Sequence, residues 1–96
     1  MIKHVICIKL NDSSEASKNK AKEVLLSMQG KVPSIKEIEV GKDLLGSAKS
    51  YDVILEVLLE DLEALESYQN DPYHCDVVKA YVRANAASSV VVDYEI

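Results

Sequence analysis

The first ten residues alternate between the two sides of an extended chain. One side carries Ile2, His4, Ile6, Ile8 and Leu10, and the other carries Lys3, Val5, Cys7 and Lys9. A period of two with many β-branched residues predicts a β-strand. His4 lies on the more apolar side, so we expect it to face the helices that cover the sheet.

Three further segments have strand character. Residues 35–41 alternate with a more polar composition, residues 51–59 are apolar on both sides, and residues 89–96 close the chain with a valine-rich run. The apolar character of 51–59 indicates a strand covered on one face and at least half covered on the other. In the last segment, alternation separates Val91, Asp93 and Glu95 from Val90, Val92, Tyr94 and Ile96.

Helical spacing fills the intervals between these strands. A first helix is predicted from Glu15 to Met28, before Gly30 and Pro33, and a second from about residue 60 to about residue 70. Asp71 and Pro72 then suit the N-cap and first position of a further helical segment that fades by about residue 85. On that segment one face would carry His74, Val77, Val78, Tyr81 and Val82.

The predicted order is β-α-β-β-α-β, which indicates an α+β, ferredoxin-like fold with a four-stranded antiparallel sheet. Ninety-six residues suit one domain, residues 1–96. The helices would cover one face of the sheet and leave an uncovered face. We expect that face to have an apolar centre of Val5, Cys7, Ile54, Leu58 and Val91, rimmed by Lys3, Lys9, Asp52, Glu56, Asp93 and Glu95.

An apolar patch of this kind predicts a partner, and the simplest partner is a second copy related by two-fold symmetry. We therefore expect a homodimer through the uncovered face. The four carboxylates of its rim raise the alternative of a Mg²⁺ or Ca²⁺ site. We favour rim charges paired with Lys3 and Lys9 and expect no metal.

The amino-acid composition argues against two classes of binding partner, nucleic acids and membranes. A net charge of -5 and a single arginine argue against nucleic-acid binding. No apolar run approaches the ~18 residues that a membrane span requires, and the first residues read as a strand instead of a leader. We therefore expect a cytoplasmic protein without membrane association. Cys7 and Cys75 have no CxxC spacing, so reduced thiols are expected instead of a disulfide or a zinc site.

The chain resembles the stress-responsive A/B barrel domain (Dabb) family over essentially its whole length. The most specific part is Tyr-Gln-Asn-Asp-Pro-Tyr-His at 68–74, combined with Val-Val-Asp-Tyr at 91–94. Further similarity lies at residues 1–5, 9–10, 32–35, 40–42, 50–52 and 62–67. The resemblance implies a dimeric α/β barrel, in which two four-stranded sheets close around a two-fold axis.

The resemblance also implies candidate site residues. A plant member of the family is a polyketide cyclase that catalyses an intramolecular aldol condensation without a cofactor, using a tyrosine and a histidine. Tyr68 and His74 match these two residues, and His4 matches a further pocket histidine. The chain differs from the cyclase at a valine in segment 52–55, where the cyclase has a histidine, and in segment 24–28, which lacks the cyclase's tyrosine.

The chemistry of the two side chains also predicts a catalytic role for Tyr68 and His74. His74, in the first turn of a helix, lies near the positive end of the helix dipole, which favours the neutral ring that can accept a proton. Tyr68 would then donate a hydrogen bond to a developing enolate oxygen. His4, Tyr51 and Tyr94 are candidate substrate contacts, although each also suits a structural role. For His4 that role is a hydrogen bond to a neighbour such as Tyr94.

Two functions follow from these residues. The first is a cofactor-free lyase, cyclase or isomerase acting on a small β-dicarbonyl or aromatic compound. The alternative is a non-catalytic dimer that binds a small ligand or serves in stress. A third possibility, cofactor-free quinol oxidation as in related monooxygenase-type barrels, has no feature of this sequence in its favour.

Overall fold

The computed structural model describes residues 1–96 and contains the predicted elements in the predicted order. The strands are β1 (Ile2–Leu10), β2 (Glu37–Lys42), β3 (Val53–Leu59) and β4 (Ala86–Glu95). The helices are α1 (Glu15–Leu26), α2 (Leu62–Asn70) and, after a π-helical segment at His74–Lys79, α3 (Ala80–Asn85). All strand pairs are antiparallel, in the order β2-β3-β1-β4. The predicted ferredoxin-like α+β fold is therefore confirmed.

The core lies between one face of the sheet and the helices. Strand β1 pairs with β3 on one side and β4 on the other, and its side chains at 2, 4, 8 and 10 are buried. The largest fully buried side chains are Ile8, Leu25, Met28, Val57, Leu59 and Tyr68. Tyr68 brings a hydroxyl into this apolar layer. None of the helices is both long and apolar enough to cross a lipid bilayer.

Strand β3 begins two residues later than the predicted start at Tyr51, because Asp52 is held at the end of β1. Its carboxylate accepts a hydrogen bond from the Leu10 backbone N–H at 2.7 Å, and the residue is only 6% exposed. A buried carboxylate requires such a partner. The expectation that Asp52 is a rim charge of the uncovered face is therefore wrong.

The closing strand has a register that alternation alone did not reveal. Asp93 lies opposite His4, Val91 opposite Ile6, and Glu95 opposite Ile2. All three therefore share the helix-covered side, and the expectation that they belong to the uncovered face is wrong. Alternation separates the two sets of side chains along a strand, but only pairing with a neighbour assigns each set to a face.

The uncovered face consequently has a different composition from the expected one. Its β4 contribution is Val90, Val92 and Tyr94, which are 49%, 61% and 44% exposed. These lie beside Cys7, Val5 and Lys3 of β1, with Ile54, Glu56 and Leu58 of β3 beyond. Of the four carboxylates expected to share this face, Asp93 and Glu95 lie on the other side and Asp52 is buried in its hydrogen bond to the Leu10 N–H, which leaves Glu56. The apolar surface is present on this face, but the four carboxylates that were expected to suit a metal ion do not meet there.

The last helical segment also departs from the prediction. Asp71 caps it as expected, since its carboxylate accepts from the N–H groups of Tyr73 at 2.9 Å and His74 at 3.3 Å. From His74 to Lys79, however, the helix is π-helical, with hydrogen bonds to the fifth residue instead of the fourth. The wider turn shifts the inward face, and Val77, expected to point inward, is 40% exposed.

Candidate functional site

A cavity of about 610 Å³ lies between the helix-covered side of the sheet and the last two helices. Its apolar wall comes from β1, β3, β4, α1 and the helical segments, and includes Ile6, Ile8, Leu25, Leu55, Val78 and Val91. Its polar lining comprises His4, Tyr68, Gln69, Asn70, His74, Lys79 and Arg83. A mostly apolar cavity with a few convergent polar groups is the usual form of a small-molecule site.

Three rings pack in a row along one wall of the cavity. The ring centroids of His4 and Tyr68 are 5.3 Å apart with an interplanar angle of 59°, and those of Tyr68 and His74 are 4.3 Å apart with an interplanar angle of 32°. Tyr68 therefore lies between the two imidazoles. The structure thus brings together the two predicted catalytic residues and the predicted pocket histidine.

Local sequence explains how α2 and the following segment present these rings. Helix α2 ends at Asn70, and Asp71 has an extended backbone before Pro72 restarts the helix. The residue before a proline is disfavoured in the α region, so the chain must break there. The break places the last turn of α2, with Tyr68, against the start of the next segment, with His74.

Asp93 completes the cluster, and sequence analysis missed it. Its Oδ1 lies 2.5 Å from Nδ1 of His4, and this pair joins β4 to β1 across the sheet. A carboxylate at that distance places the proton of a neutral His4 on Nδ1 and leaves Nε2 as the acceptor. The signal that would have identified Asp93 is the pairing of residue 4 with residue 93, which assigns both to the same face.

Two atoms of the cluster are buried without any hydrogen-bond partner in the chain. They are the hydroxyl oxygen of Tyr68 and Nδ1 of His74. Leaving such an atom unsatisfied costs about 1–3 kcal/mol, and folded proteins rarely retain one without a reason. Both atoms are shielded from solvent by the surrounding side chains.

The surroundings determine the protonation states of this pair. Burial, followed by the negative charge of Asp93, raises the pKa of Tyr68, so its hydroxyl keeps its proton and remains a donor. Burial, followed by the positive charge of Lys79, lowers the pKa of His74, so its ring is neutral at neutral pH. The direction agrees with the prediction from the helix dipole, but burial is the principal cause. A neutral acceptor thus lies beside a protonated donor.

The other predicted contacts lie elsewhere. Tyr51 lies in a shallow depression with Cys7 and Gly41, and Tyr94 lies on the uncovered face opposite Lys3. Neither lines the cavity. His4 uses Asp93 as its partner, not Tyr94. No three side chains of His, Cys, Asp or Glu converge as metal ligands, and both cysteines are free thiols.

Comparison with known proteins places this site in context. The profile of the Stress Responsive A/B Barrel Domain (Dabb) family matches residues 2–96. A dimeric protein of unknown function with a ferredoxin-like fold from Bacteroides fragilis is 25% identical, with a TM-score of 0.82 over 99% of this chain and 95% of that one. A comparison with curated proteins finds no match.

Two other solved structures show the same fold at lower identity. A dimeric ferredoxin-like protein of unknown function from Thermobifida fusca is 23% identical, with a TM-score of 0.83 over 99% of this chain and 90% of that one. A hydroxynitrile lyase from Passiflora edulis is 18% identical, with a TM-score of 0.82 over 99% of this chain and 92% of that one. At these identities the similarity is evidence for the fold alone.

Replacing Tyr68 by phenylalanine should leave the free energy of unfolding unchanged or raise it by about 1 kcal/mol, because the substitution removes an unpaired buried hydroxyl. Tyr73→Phe is the matched control. The Tyr73 hydroxyl donates to Oγ of Ser27 at 2.6 Å, so its loss should destabilise the fold by about 1 kcal/mol. Urea denaturation of both variants checks this, and a clear loss of stability in Tyr68→Phe would show that its hydroxyl has a structural partner.

The lowered pKa of His74 predicts a pH-dependent stability. Below the ordinary value of 6.5 the unfolded chain takes up a proton here before the folded protein does, so acid favours unfolding. The contribution is complete above pH 6.5 and falls as the pH drops through the folded pKa. Denaturation at about pH 7 and about pH 5 should show a larger loss for wild type than for the non-titrating variant His74→Gln. Parallel losses would contradict the lowered pKa.

Proposed function

This chain belongs to the stress responsive A/B barrel domain family, and we propose that it is a cofactor-free lyase, cyclase or isomerase acting on a small β-dicarbonyl or aromatic compound. One observation carries the proposal. Tyr68 is packed between two histidine rings at the wall of the cavity, and the Tyr68 hydroxyl and one nitrogen of His74 have no partner within the chain. Beside a cavity, a donor and an acceptor that the chain leaves unpaired are available to a compound that displaces the side chains shielding them.

In the proposed reaction, the neutral imidazole of His74 takes a proton from a C–H group between two carbonyls. The electron pair of that bond moves onto a carbonyl oxygen, and the Tyr68 hydroxyl donates a hydrogen bond to the resulting enolate. The enolate carbon then attacks a second carbonyl or is reprotonated elsewhere. The proton held by His74 returns to the product, so no external acid or redox partner is consumed.

His4 and Asp93 support this pair from the sheet side. With its Nδ1–H held by the Asp93 carboxylate, His4 keeps one ring orientation and one tautomer. Its ring contacts the ring of Tyr68, so Asp93 is proposed as a positioning residue that acts through His4. The apolar wall lowers the local dielectric, which strengthens the hydrogen bond from Tyr68 to a developing charge.

The size of the cavity and one relative fit the proposal. A volume of about 610 Å³ lies in the range typical of small-molecule sites. The Passiflora edulis protein, which shares the fold, is named as a hydroxynitrile lyase. The fold is therefore compatible with lyase chemistry, while the substrate of this chain has to be found by experiment.

We also propose that the protein is a homodimer formed through the uncovered face. The Bacteroides fragilis and Thermobifida fusca proteins are described as dimeric. In this chain Val90, Val92 and Tyr94 present apolar surface beside Val5 and Cys7, with nothing in the chain to cover it. A second sheet would bury that surface.

A non-catalytic ligand-binding or stress-associated dimer is the alternative function. It is favoured by the shielding of the Tyr68 hydroxyl and of Nδ1 of His74, because a reacting atom has to touch its substrate. Under this alternative the three rings form a structural cluster, and a compound in the cavity leaves unchanged.

A thermal-shift screen of aromatic acids, β-dicarbonyl compounds and quinols tests the catalytic proposal. A compound that stabilises wild type should stabilise His74→Ala much less, and any turnover of it should fall about 100-fold or more in His74→Ala and in Tyr68→Phe. Asp76→Ala, an exposed neighbour in the same segment, should behave as wild type. Binding lost in His74→Ala with no turnover in wild type would favour the non-catalytic alternative.

The dimer is tested by solution mass. At micromolar concentration wild type should have twice the 10.6 kDa chain mass, and Val92→Asp should reduce it to one chain by placing a charge at the centre of the interface. Leu44→Asp makes the same kind of change at a fully exposed loop residue and should leave the mass unchanged. A wild-type mass of one chain would overturn the proposal.

A further inference from the structure

Two cationic side chains, Lys79 and Arg83, line the same cavity as the three rings. We propose that they form a recognition site for a carboxylate on the compound that occupies the cavity. The inference deepens the proposed function, since it concerns the same cavity and adds the class of substrate. The expected ligand is an aromatic or β-dicarbonyl compound that carries a carboxylic acid.

The first support is that neither cation is neutralised by the chain. The lysine–carboxylate ion pairs of the structure are Lys36 with Glu60 and Lys42 with Glu15. Lys79 and Arg83 are both exposed, and no carboxylate of the chain lies within ion-pair distance of either. An anionic ligand in the cavity can therefore pair with both of them.

The second support is the donor geometry of the two groups. The Lys79 ammonium makes one hydrogen bond, to the Gln69 carbonyl oxygen at 3.3 Å, and keeps two further N–H donors. Arg83, the single arginine of the chain, makes no side-chain hydrogen bond at all. A planar guanidinium with all its donors free matches the two oxygens of a carboxylate, which it can bind in a bidentate manner.

The third support is the π-helical segment, which places Lys79 on the cavity side. In an α-helix, with about 100° per residue, Lys79 would lie about 140° around the axis from His74 and would point away from the cavity. In the π-helical segment the fifth residue completes the turn, so His74 and Lys79 face the same way. Arg83 follows one α-helical turn later on the same side. The π-helical segment therefore places Lys79 and Arg83, as well as His74, on the cavity side.

The positions of the rings and the two cations would determine how a bound compound lies along the helix. The reacting carbon would lie near His74 and Tyr68, and the carboxylate one to two helical turns away, at about 5 to 11 Å. A monocyclic aromatic acid whose reacting carbon lies across the ring from the carboxylate reaches the near end of that interval. A charge held at one end would fix which carbon meets His74, so the two cations would determine regiochemistry as well as affinity.

Isothermal titration calorimetry with charge-matched probes tests the inference. The probes are benzoate with methyl benzoate, and acetoacetate with methyl acetoacetate. Wild type should bind at least one acid about tenfold more tightly than its ester, the increment expected for charge-assisted hydrogen bonds. The double variant Lys79→Gln/Arg83→Gln should bring that ratio close to one. The control Lys20→Gln/Lys31→Gln removes two exposed positive charges elsewhere and should keep it.

Three results would overturn the carboxylate site: esters bound as tightly as acids, an acid preference unchanged in the Lys79→Gln/Arg83→Gln variant, or no binding of any probe at millimolar concentration. The proposed catalysis fails independently, if wild type prefers acids but turns over none of its ligands. Conversely, if wild type turns over neutral substrates in a reaction that requires His74 and shows no preference for acids, the proposed catalysis stands and the proposed carboxylate site is wrong.

Discussion

The register of β4 against β1 is the constraint on which both functional surfaces depend. It places Asp93 beside His4 on the helix-covered side of the sheet, and it leaves Val90, Val92 and Tyr94 on the uncovered face. A shift of one residue would exchange these two sets, burying valines at the cavity and removing the partner of His4. Strand β4 follows α3 without a loop, from Asn85 directly to Ala86, and its register against β1 shifts by one residue between Lys9 and Leu10. The Asn11 N–H donates to the Asn85 carbonyl at 2.8 Å and holds the junction.

The cluster of three rings lowers the stability of the fold, and the loss is large for a domain of this size. Two unpaired buried polar atoms forfeit a few kcal/mol, against a total stability of about 5–15 kcal/mol for a typical domain. An apolar residue at either position would avoid that loss. The same burial keeps the tyrosine protonated and the histidine neutral, so the feature that weakens the fold also sets the protonation states on which the proposed proton transfer depends.

The sequence predicted the fold and some of the residues around the cavity. Each residue that it missed was missed for a specific physical reason. Periodicity located every strand and helix, because burial on one side imposes a period of two or 3.6. Tyr68 and His74 were predicted as site residues from their match to the family's motif, and Asp71 and Pro72 placed the helix start between them. Asp93, Lys79 and Arg83 were missed, because their positions depend on a strand register and on a π-helical turn. Both are set by contacts distant in sequence, which no local pattern encodes.

The π-helical segment has a further consequence, for the history of the fold. Such a segment is equivalent to an α-helix with one residue inserted, so residues 74–79 mark a place where the chain can gain or lose a residue at little cost. The capped start at Asp71 and the anchored junction at Asn85 would keep the two ends fixed. An insertion there rotates different side chains into the cavity while the sheet stays as it was. Relatives could therefore exchange ligand specificity through a change in length, without redesigning the core.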